Sequence, residues 1–261
     1  MVSKKLYKGN GNMKYLVSAA GGNTTAIQLI ENSQTREWYS SNGNELVNKY
    51  DNFEVEQSGF LIPKDLHFEM AGGEFCGNAS RAAAVVFSLL KKESIVDFTV
   101  SGFNGIVHST VNKYSDNEYN VESMFNGMNI LSKEVKLSND TQAFLVDLGG
   151  IVHIVIEGEL PSNYKEVHNE VTSELDLLRK SAVGVVWYTK IENKPVKIHP
   201  IIWVNEVNTF YYETSCGSAS IAVAAVTGIN EIEQVTGELI LTEISKEFVS
   251  LKSKIKVLYI E

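Results

Sequence analysis

The sequence predicts an α+β protein of two pseudo-symmetric lobes, each a β-sheet wrapped around one central helix. Three observations carry that prediction. The chain's only two cysteines sit in two copies of one short motif, Phe75-Cys76-Gly77-Asn78-Ala79-Ser80 and Ser215-Cys216-Gly217-Ser218-Ala219-Ser220. Each copy runs into small apolar residues, Arg81-Ala82-Ala83-Ala84-Val85-Val86 in one case and Ile221-Ala222-Val223-Ala224-Ala225-Val226 in the other. The remainder reads as short β-branched and aromatic runs separated by turns. Duplication around the sole two thiols implies that each half brings one cysteine to a shared site.

In chain order, strands are expected at 15–17, 59–62, 96–100 and 105–107 in the first half. The second half has them at 151–156, 183–188, 201–204, 209–212, 239–241 and 255–260, all rich in Val, Ile, Tyr, Phe or Trp. The clearest helices are 77–92 and 217–226. Both are apolar on every face, as a helix enclosed in a core must be. Further helices are expected at 44–50 with its flanks and at 169–180. The stretch 114–129 reads as turns and is taken as the boundary between a lobe of residues 1–125 carrying Cys76 and a lobe of residues 126–261 carrying Cys216. The last strand is allowed to cross to the first lobe.

Composition narrows the function classes. A chain of 261 residues accommodates two lobes of ordinary domain size, and 44% hydrophobic residues suffice for a core without disulfides. A net charge of −9, with no basic run, argues against nucleic acid. No run approaches the length of a membrane span, and Met1-Val2-Ser3-Lys4-Lys5-Leu6-Tyr7 lacks the apolar core of an export signal. The expected compartment is therefore the cytoplasm, where thiols stay reduced. Two thiols and five scattered histidines offer no metal-ligand spacing, so no metal is expected. Nor is a cofactor, and a second copy of the chain is the one protein partner allowed for.

A helix N-terminus carries partial positive charge and free backbone N–H groups. A cysteine there is expected to have its pKa lowered, and the N–H groups suit a carboxylate. Gly77 and Gly217 let the backbone approach a ligand closely. Two such ends facing each other form a carboxylate cradle flanked by two thiols. One thiolate can take a proton from a carbon while the other thiol returns one to the opposite face. A thioredoxin-like role would need Cys-X-X-Cys, and a cysteine hydrolase would leave the duplication unexplained.

These motifs resemble the diaminopimelate epimerase-like family of cofactor-independent racemases and epimerases, with its Cys-Gly-Asn-Gly-X-Arg and Ala-Cys-Gly-Thr-Gly. The chain has Cys76-Gly77-Asn78-Ala79-Ser80-Arg81 and Ser215-Cys216-Gly217-Ser218-Ala219. Gly9-Asn10-Gly11-Asn12 resembles the family's Gly-X-Gly-Asn, which makes Asn12 a substrate contact. The segment Gly149-Gly150-Ile151-Val152-His153 stands where the family has Gly-Asn-Pro-His, which offers His153. The resemblance spans the chain and implies two lobes with the site between them. It departs before the second cysteine, where an arginine that holds the distal end of diaminopimelate is missing. Glu56-Gln57-Ser58-Gly59-Phe60, the run from Gly73 to Ala79, the run from Tyr212 to Ser218 and the strand from Val152 to Ile156 are more similar to the family's histidine racemases.

The expected roles follow. Cys76 and Cys216 are the acid–base pair. The substrate carboxylate sits on the amides of Gly77, Asn78, Gly217 and Ser218, helped by the Asn78 and Ser218 side chains. Glu56 and Glu213 are candidates for the substrate ammonium or an imidazole N–H, and Gln57, Asn12 and His153 for further hydrogen bonds. The expected function is a two-cysteine amino acid racemase, of histidine first. Diaminopimelate epimerase and a non-catalytic amino acid-binding protein of the same fold are the alternatives.

Overall fold

A computed structural model describes residues 13–261, and in it the two cysteine motifs start the two helices that organise the rest. In chain order the first half contains β1 Lys14–Ala19, β2 Gly22–Leu29, α1 Arg36–Lys49, β3 Val55–Ile62, β4 His67–Met70, α2 Gly77–Lys91, β5 Ile95–Val100, β6 Val107–Lys113 and β7 Glu118–Asn126. The second contains β8 Leu131–Lys136, β9 Gln142–Asp147, β10 Val152–Glu157, α3 Tyr164–Glu174, β11 Ala182–Thr189, β12 Val196–Val204, β13 Thr209–Tyr212, α4 Gly217–Thr227, β14 Glu231–Glu233, β15 Leu239–Ile244 and β16 Phe248–Ile260.

The duplication is visible in how the strands pair. Each half has two parallel pairs, and each pair is bridged by a helix. β2 and β3 flank α1, and β4 and β5 flank α2. β10 and β11 flank α3, and β12 and β14 flank α4. Parallel neighbours require such crossovers, whereas the antiparallel pairs between them are joined by turns. The strands run β1 to β7, then β16, β15, β14, β12, β11, β10, β9 and β8, with β13 on β12. β16 also pairs with β1, from Tyr15 opposite Ile260 to Ala19 opposite Ile255, so β1–β7 and β16 close around α2.

Small side chains permit this enclosure. In α2 every residue from Gly77 to Phe87 is buried, and in α4 every residue from Gly217 to Ala224. Alanine favours the helix and lets strands approach from all sides. α2 packs on β1, β5, β6, β7 and β16, and α4 on β10, β11, β14 and β15. Lys92 and Gly228 end the two helices in left-handed conformations.

Three expected elements are displaced. The stretch 114–129 is not all turns: its middle is β7, paired on both sides by β6 and β16. Tyr119, Val121, Ser123 and Phe125 alternate inward while polar residues face out, and that polar half disguises a strand. The helix expected at 169–180 lies earlier, as α3, and the chain turns away at Leu175 and at Asp176, whose φ of 54° cannot continue a helix. The strand expected at 105–107 begins only at Val107. Among the described residues no helix is long and apolar enough to cross a membrane.

Candidate active site

The N-termini of α2 and α4 meet at their glycines. A Cβ on Gly217 would lie 3.0 Å from Asn78 Oδ1 and 3.1 Å from the Gly77 carbonyl carbon. A Cβ on Gly77 would lie 3.4 Å from Gly217 Cα and 2.4 Å from Leu251 Cδ1. Only residues without side chains allow two helix ends this close. Cys76 and Cys216 are the N-cap residues of the two helices, and both are free thiols. The amides of Gly77, Asn78, Gly217 and Ser218 find no acceptor among the described residues. Two positive helix ends therefore converge beside two sulfurs.

Both sulfurs line a small cavity of about 40 Å³. Its polar wall includes Glu56, Gln57, Glu74, Glu213 and Ser218, with Asn44, Ser58, Thr209 and Tyr211, and its apolar wall includes Val47, Ala71, Ile202, Val204 and Val207. Among the described residues, the three charged side chains in that wall are all glutamates, and no cation lines it. The cavity thus brings together Cys76, Cys216, Glu56, Gln57, Glu213 and Ser218 of the expected set. Gly77, Asn78 and Gly217 lie just behind them.

Two expected contacts are placed otherwise. The Asn78 side chain is fully buried and engaged: Nδ2 donates to Asn23 Oδ1 (3.1 Å), Ser215 O (3.1 Å) and Ser215 Oγ (2.8 Å), and Oδ1 accepts from Arg81 Nη2. It ties the first lobe to the second cysteine turn and is not free for a carboxylate. His153 is buried in β10 away from the cavity, against Gly184, where a Cβ would lie 2.3 Å from Nδ1. Neither ring nitrogen has a partner among the described residues, and burial pushes its pKa down to about 3. Asn12 lies outside the described residues.

The chain is matched by the family model "Histidine racemase CntK N-terminal domain" over residues 13–240. It belongs to that family. A histidine racemase of Fusobacterium nucleatum subsp. nucleatum is 29% identical over 77% of this chain and 76% of its own length. Among solved structures, a predicted epimerase from Pseudomonas aeruginosa superposes with a TM-score of 0.63 at 13% identity, covering 96% of this chain and 98% of that one. A phenazine biosynthesis protein of the PhzF family from Enterococcus faecalis gives 0.59 at 16% identity, covering 95% and 97%. These two likenesses show the fold. The protein is an isomerase, an amino acid racemase.

The racemase holds its sulfurs differently from the sequence expectation. Helix N-termini were expected to lower the thiol pKa values, yet both are raised. Burial pushes Cys76 up to about 12, with the Glu213 charge adding to it. Burial and Glu213 likewise raise Cys216 well above the usual thiol range. The hydrogen bond that the Cys76 sulfur accepts from the Ala79 amide (3.4 Å) works in the opposite direction but is outweighed. Burial also raises Glu213 to about 8 and Glu74 to about 7. Arg81 offsets this negative surrounding. It is fully buried, Nε and Nη1 have no partner among the described residues, and it is electrostatically coupled to both sulfurs. Burial lowers its pKa only to about 10, so it is a cation at neutral pH.

Several supporting residues escaped the sequence reading. Asn23 is the hub: Nδ2 donates to Glu56 Oε2 (3.0 Å), and Oδ1 accepts from Gln57 Nε2 (2.7 Å) as well as from Asn78. Its φ of 45° suits asparagine, and its only sequence signal was the turn Gly21-Gly22 before it. Thr214 donates to Glu56 Oε1 (2.5 Å) and accepts from the Asn23 amide (2.8 Å). Gln234 Oε1 accepts from the Cys216 amide (2.8 Å), which fixes the second cysteine turn. Cys76 Sγ donates to Gln57 Oε1 at 3.2 Å.

Proposed function

We propose that this racemase interconverts L- and D-histidine by a two-thiol mechanism without a cofactor. The observation that carries the reading is the pair of N-cap cysteines facing one cavity from two converging helix ends. The substrate carboxylate takes the free amides of Gly77, Asn78, Gly217 and Ser218, where both helix dipoles favour an anion. The ammonium takes Glu56 or Glu213. That arrangement leaves Cα between the two sulfurs.

The cavity, about 40 Å³, is small for an amino acid. An amino acid therefore enters with the lobes apart, and closure then removes water from around the reacting groups. Opening also exposes the thiols to solvent, and there one of them loses its proton. The substrate ammonium then offsets the charge that Glu213 carries once it ionises, a charge that would otherwise oppose a thiolate. Arg81 stabilises the negative charge on whichever sulfur bears it. In the reaction the Cα–H bond breaks as an S–H bond forms on one side. The opposite thiol then gives its proton to the other face of Cα and becomes the thiolate. The enzyme ends in the mirror-image protonation state, ready for the reverse direction.

The wall of three glutamates favours histidine over diaminopimelate. A second carboxylate at the far end of the substrate would meet like charge and no arginine. The relatives named histidine racemases support the same choice. The test is incubation of the reduced protein in D2O with L-histidine, other single amino acids and LL-diaminopimelate, following deuteration at Cα and chirality. Inversion of histidine with deuterium incorporation is expected. Exchange of diaminopimelate with none of histidine overturns the substrate reading, and exchange of neither overturns the mechanism.

A further inference from the structure

We infer that Glu74 is the residue that reads the substrate side chain, its carboxylate accepting the N–H of a ring that points away from the two sulfurs. The inference rests on the reading of the site as a histidine racemase and assigns one group within it. With Cα held between Cys76 and Cys216, and the carboxylate and ammonium directed to the helix ends and to Glu56 or Glu213, the side chain has the rest of the cavity. The lining there includes Ala71, Ile202, Val204 and Val207, whose apolar side chains suit the faces of a flat ring, beside the polar Asn44, Thr209 and Tyr211.

Glu74 sits in this wall and is only 6% exposed. Neither of its carboxylate oxygens has a side-chain donor among the described residues; Oε2 is sealed in against Gly72, and the amides of Glu74 and Gly72 offset only part of the cost of burial. The other buried unpartnered side-chain atoms belong to Arg36, Arg81 and His153, none of which lines the cavity. A buried carboxylate without a side-chain donor is costly, and in a residue that lines a ligand cavity it marks where a donor belongs. Glu56 is better satisfied, since each of its two oxygens already accepts one hydrogen bond, from Thr214 and from Asn23. The carboxylate is also held in place. It folds back over Gly72, where any Cβ would lie 2.5 Å from Oε2 and 2.5 Å from Val204 Cγ1. Gly72 thus keeps open the space the carboxylate fills. Arg36, bonded to Glu69 and to the carbonyls of Met70 and Ala71, anchors the loop that carries Glu74.

An acceptor beside such apolar side chains selects a side chain with a terminal N–H and discriminates against one of the same shape without it. β-(2-Thienyl)-L-alanine is that second kind of ligand: its ring matches the imidazole in size but lacks the N–H. The experiment measures KM for L-histidine by Cα deuteration and the inhibition constant of thienylalanine against the same reaction. Both are measured for the wild type, Glu74→Met and Glu74→Gln.

In Glu74→Met the KM for histidine is expected to rise roughly tenfold or more, while thienylalanine binds as well as before or better. Glu74→Gln keeps an acceptor and restores part of the histidine affinity. Comparing the two ligands separates recognition from the electrostatic effect of Glu74 on the thiols, which changes turnover for any substrate. Equal loss of both ligands in Glu74→Met, or an unchanged KM for histidine, overturns the assignment. If Glu74→Met does not fold, an unchanged ratio of the two constants in Glu74→Gln does the same. Absence of histidine exchange in the wild type instead overturns the substrate reading on which the assignment rests.

Discussion

Asn23→Ala tests whether the site is held by the asparagine hub. Three contributions can be sized from the structure. Asn23 is buried, and its Nδ2 is one of two side-chain donors to the Glu56 carboxylate. Losing a hydrogen bond to a charged group costs about 1.5–3 kcal/mol. The φ of 45° then falls on alanine, which adds about 1 kcal/mol. Gln57 and Asn78 lose one acceptor each but keep Thr25 Oγ1 (2.8 Å) and the two Ser215 oxygens, so their contribution is small. The total is about 3 kcal/mol, read as a lower urea midpoint with an unchanged m-value. Function shifts in the same direction. Burial already raises the Glu56 pKa, and the Asn23 and Thr214 hydrogen bonds oppose that rise. Without Asn23, Glu56 is more readily neutral, and KM for an amino acid carrying an ammonium should increase. Asn23→Asp sharpens the test by placing a second carboxylate beside Glu56, so it should be worse than alanine at pH 8 and recover towards pH 5. A loss under about 0.5 kcal/mol with an unchanged KM would refute the hub.

Further outcomes are expected at the thiols, the helix contact and the buried carboxylates. Cys76→Ser and Cys216→Ser should each lower racemisation by about 10²–10⁴-fold in both directions, measured by polarimetry with the fold checked by circular dichroism. Full activity in either variant would remove the two-base scheme. Gly217→Ala pushes a Cβ to 3.0 Å from Asn78 Oδ1, and separating the helix ends should cost about 1–3 kcal/mol and most of the activity. Stability should fall as pH rises from 6.5 to 8. Glu213 keeps its proton to about pH 8 in the fold, and Glu74 to about 7, whereas both ionise near 4.3 when unfolded. The folded state thus binds more protons across that window, and the stabilisation present at low pH is lost as each group ionises. His153, lowered to about 3, acts with the opposite sign but only below about 6.5. In Glu213→Gln the fall in urea midpoint should be shallower, and an equal slope would show that another group titrates.

The parts of the fold legible in the sequence were those whose cause is local. α2 and α4 announce themselves because a helix enclosed on all sides must be small and apolar throughout. β7 stayed hidden because only alternate residues face the core, and residues such as Asn120 and Glu122 imitate a turn-rich segment. At the site, the two cysteines were legible from their duplicated context. Their electrostatics were not, because the thiol pKa values are set by burial and by Glu213, which comes close to Cys76 only in three dimensions. Asn23 was invisible for the same reason: its partners Glu56, Gln57 and Asn78 lie on β3 and α2, far along the chain. His153 shows the converse, since a histidine in an apolar strand turned out to be buried away from the cavity.

The closing of the first lobe by β16 also governs the order in which the molecule can assemble. Strands β1 to β7 are synthesised early, yet the ladder that seals them against β1 and β7 arrives only with residues 248–260. Until then two strand edges stand open and α2 lacks part of its wall, the condition under which strands pair with the wrong neighbour. Contacts between residues so distant in the chain are slow to form. The two halves, alike in plan, therefore do not fold as independent units. The second half must be made before the first can finish. A circular permutant that begins with β16 would remove that wait, and its faster refolding would measure how much of the folding time the strand exchange consumes.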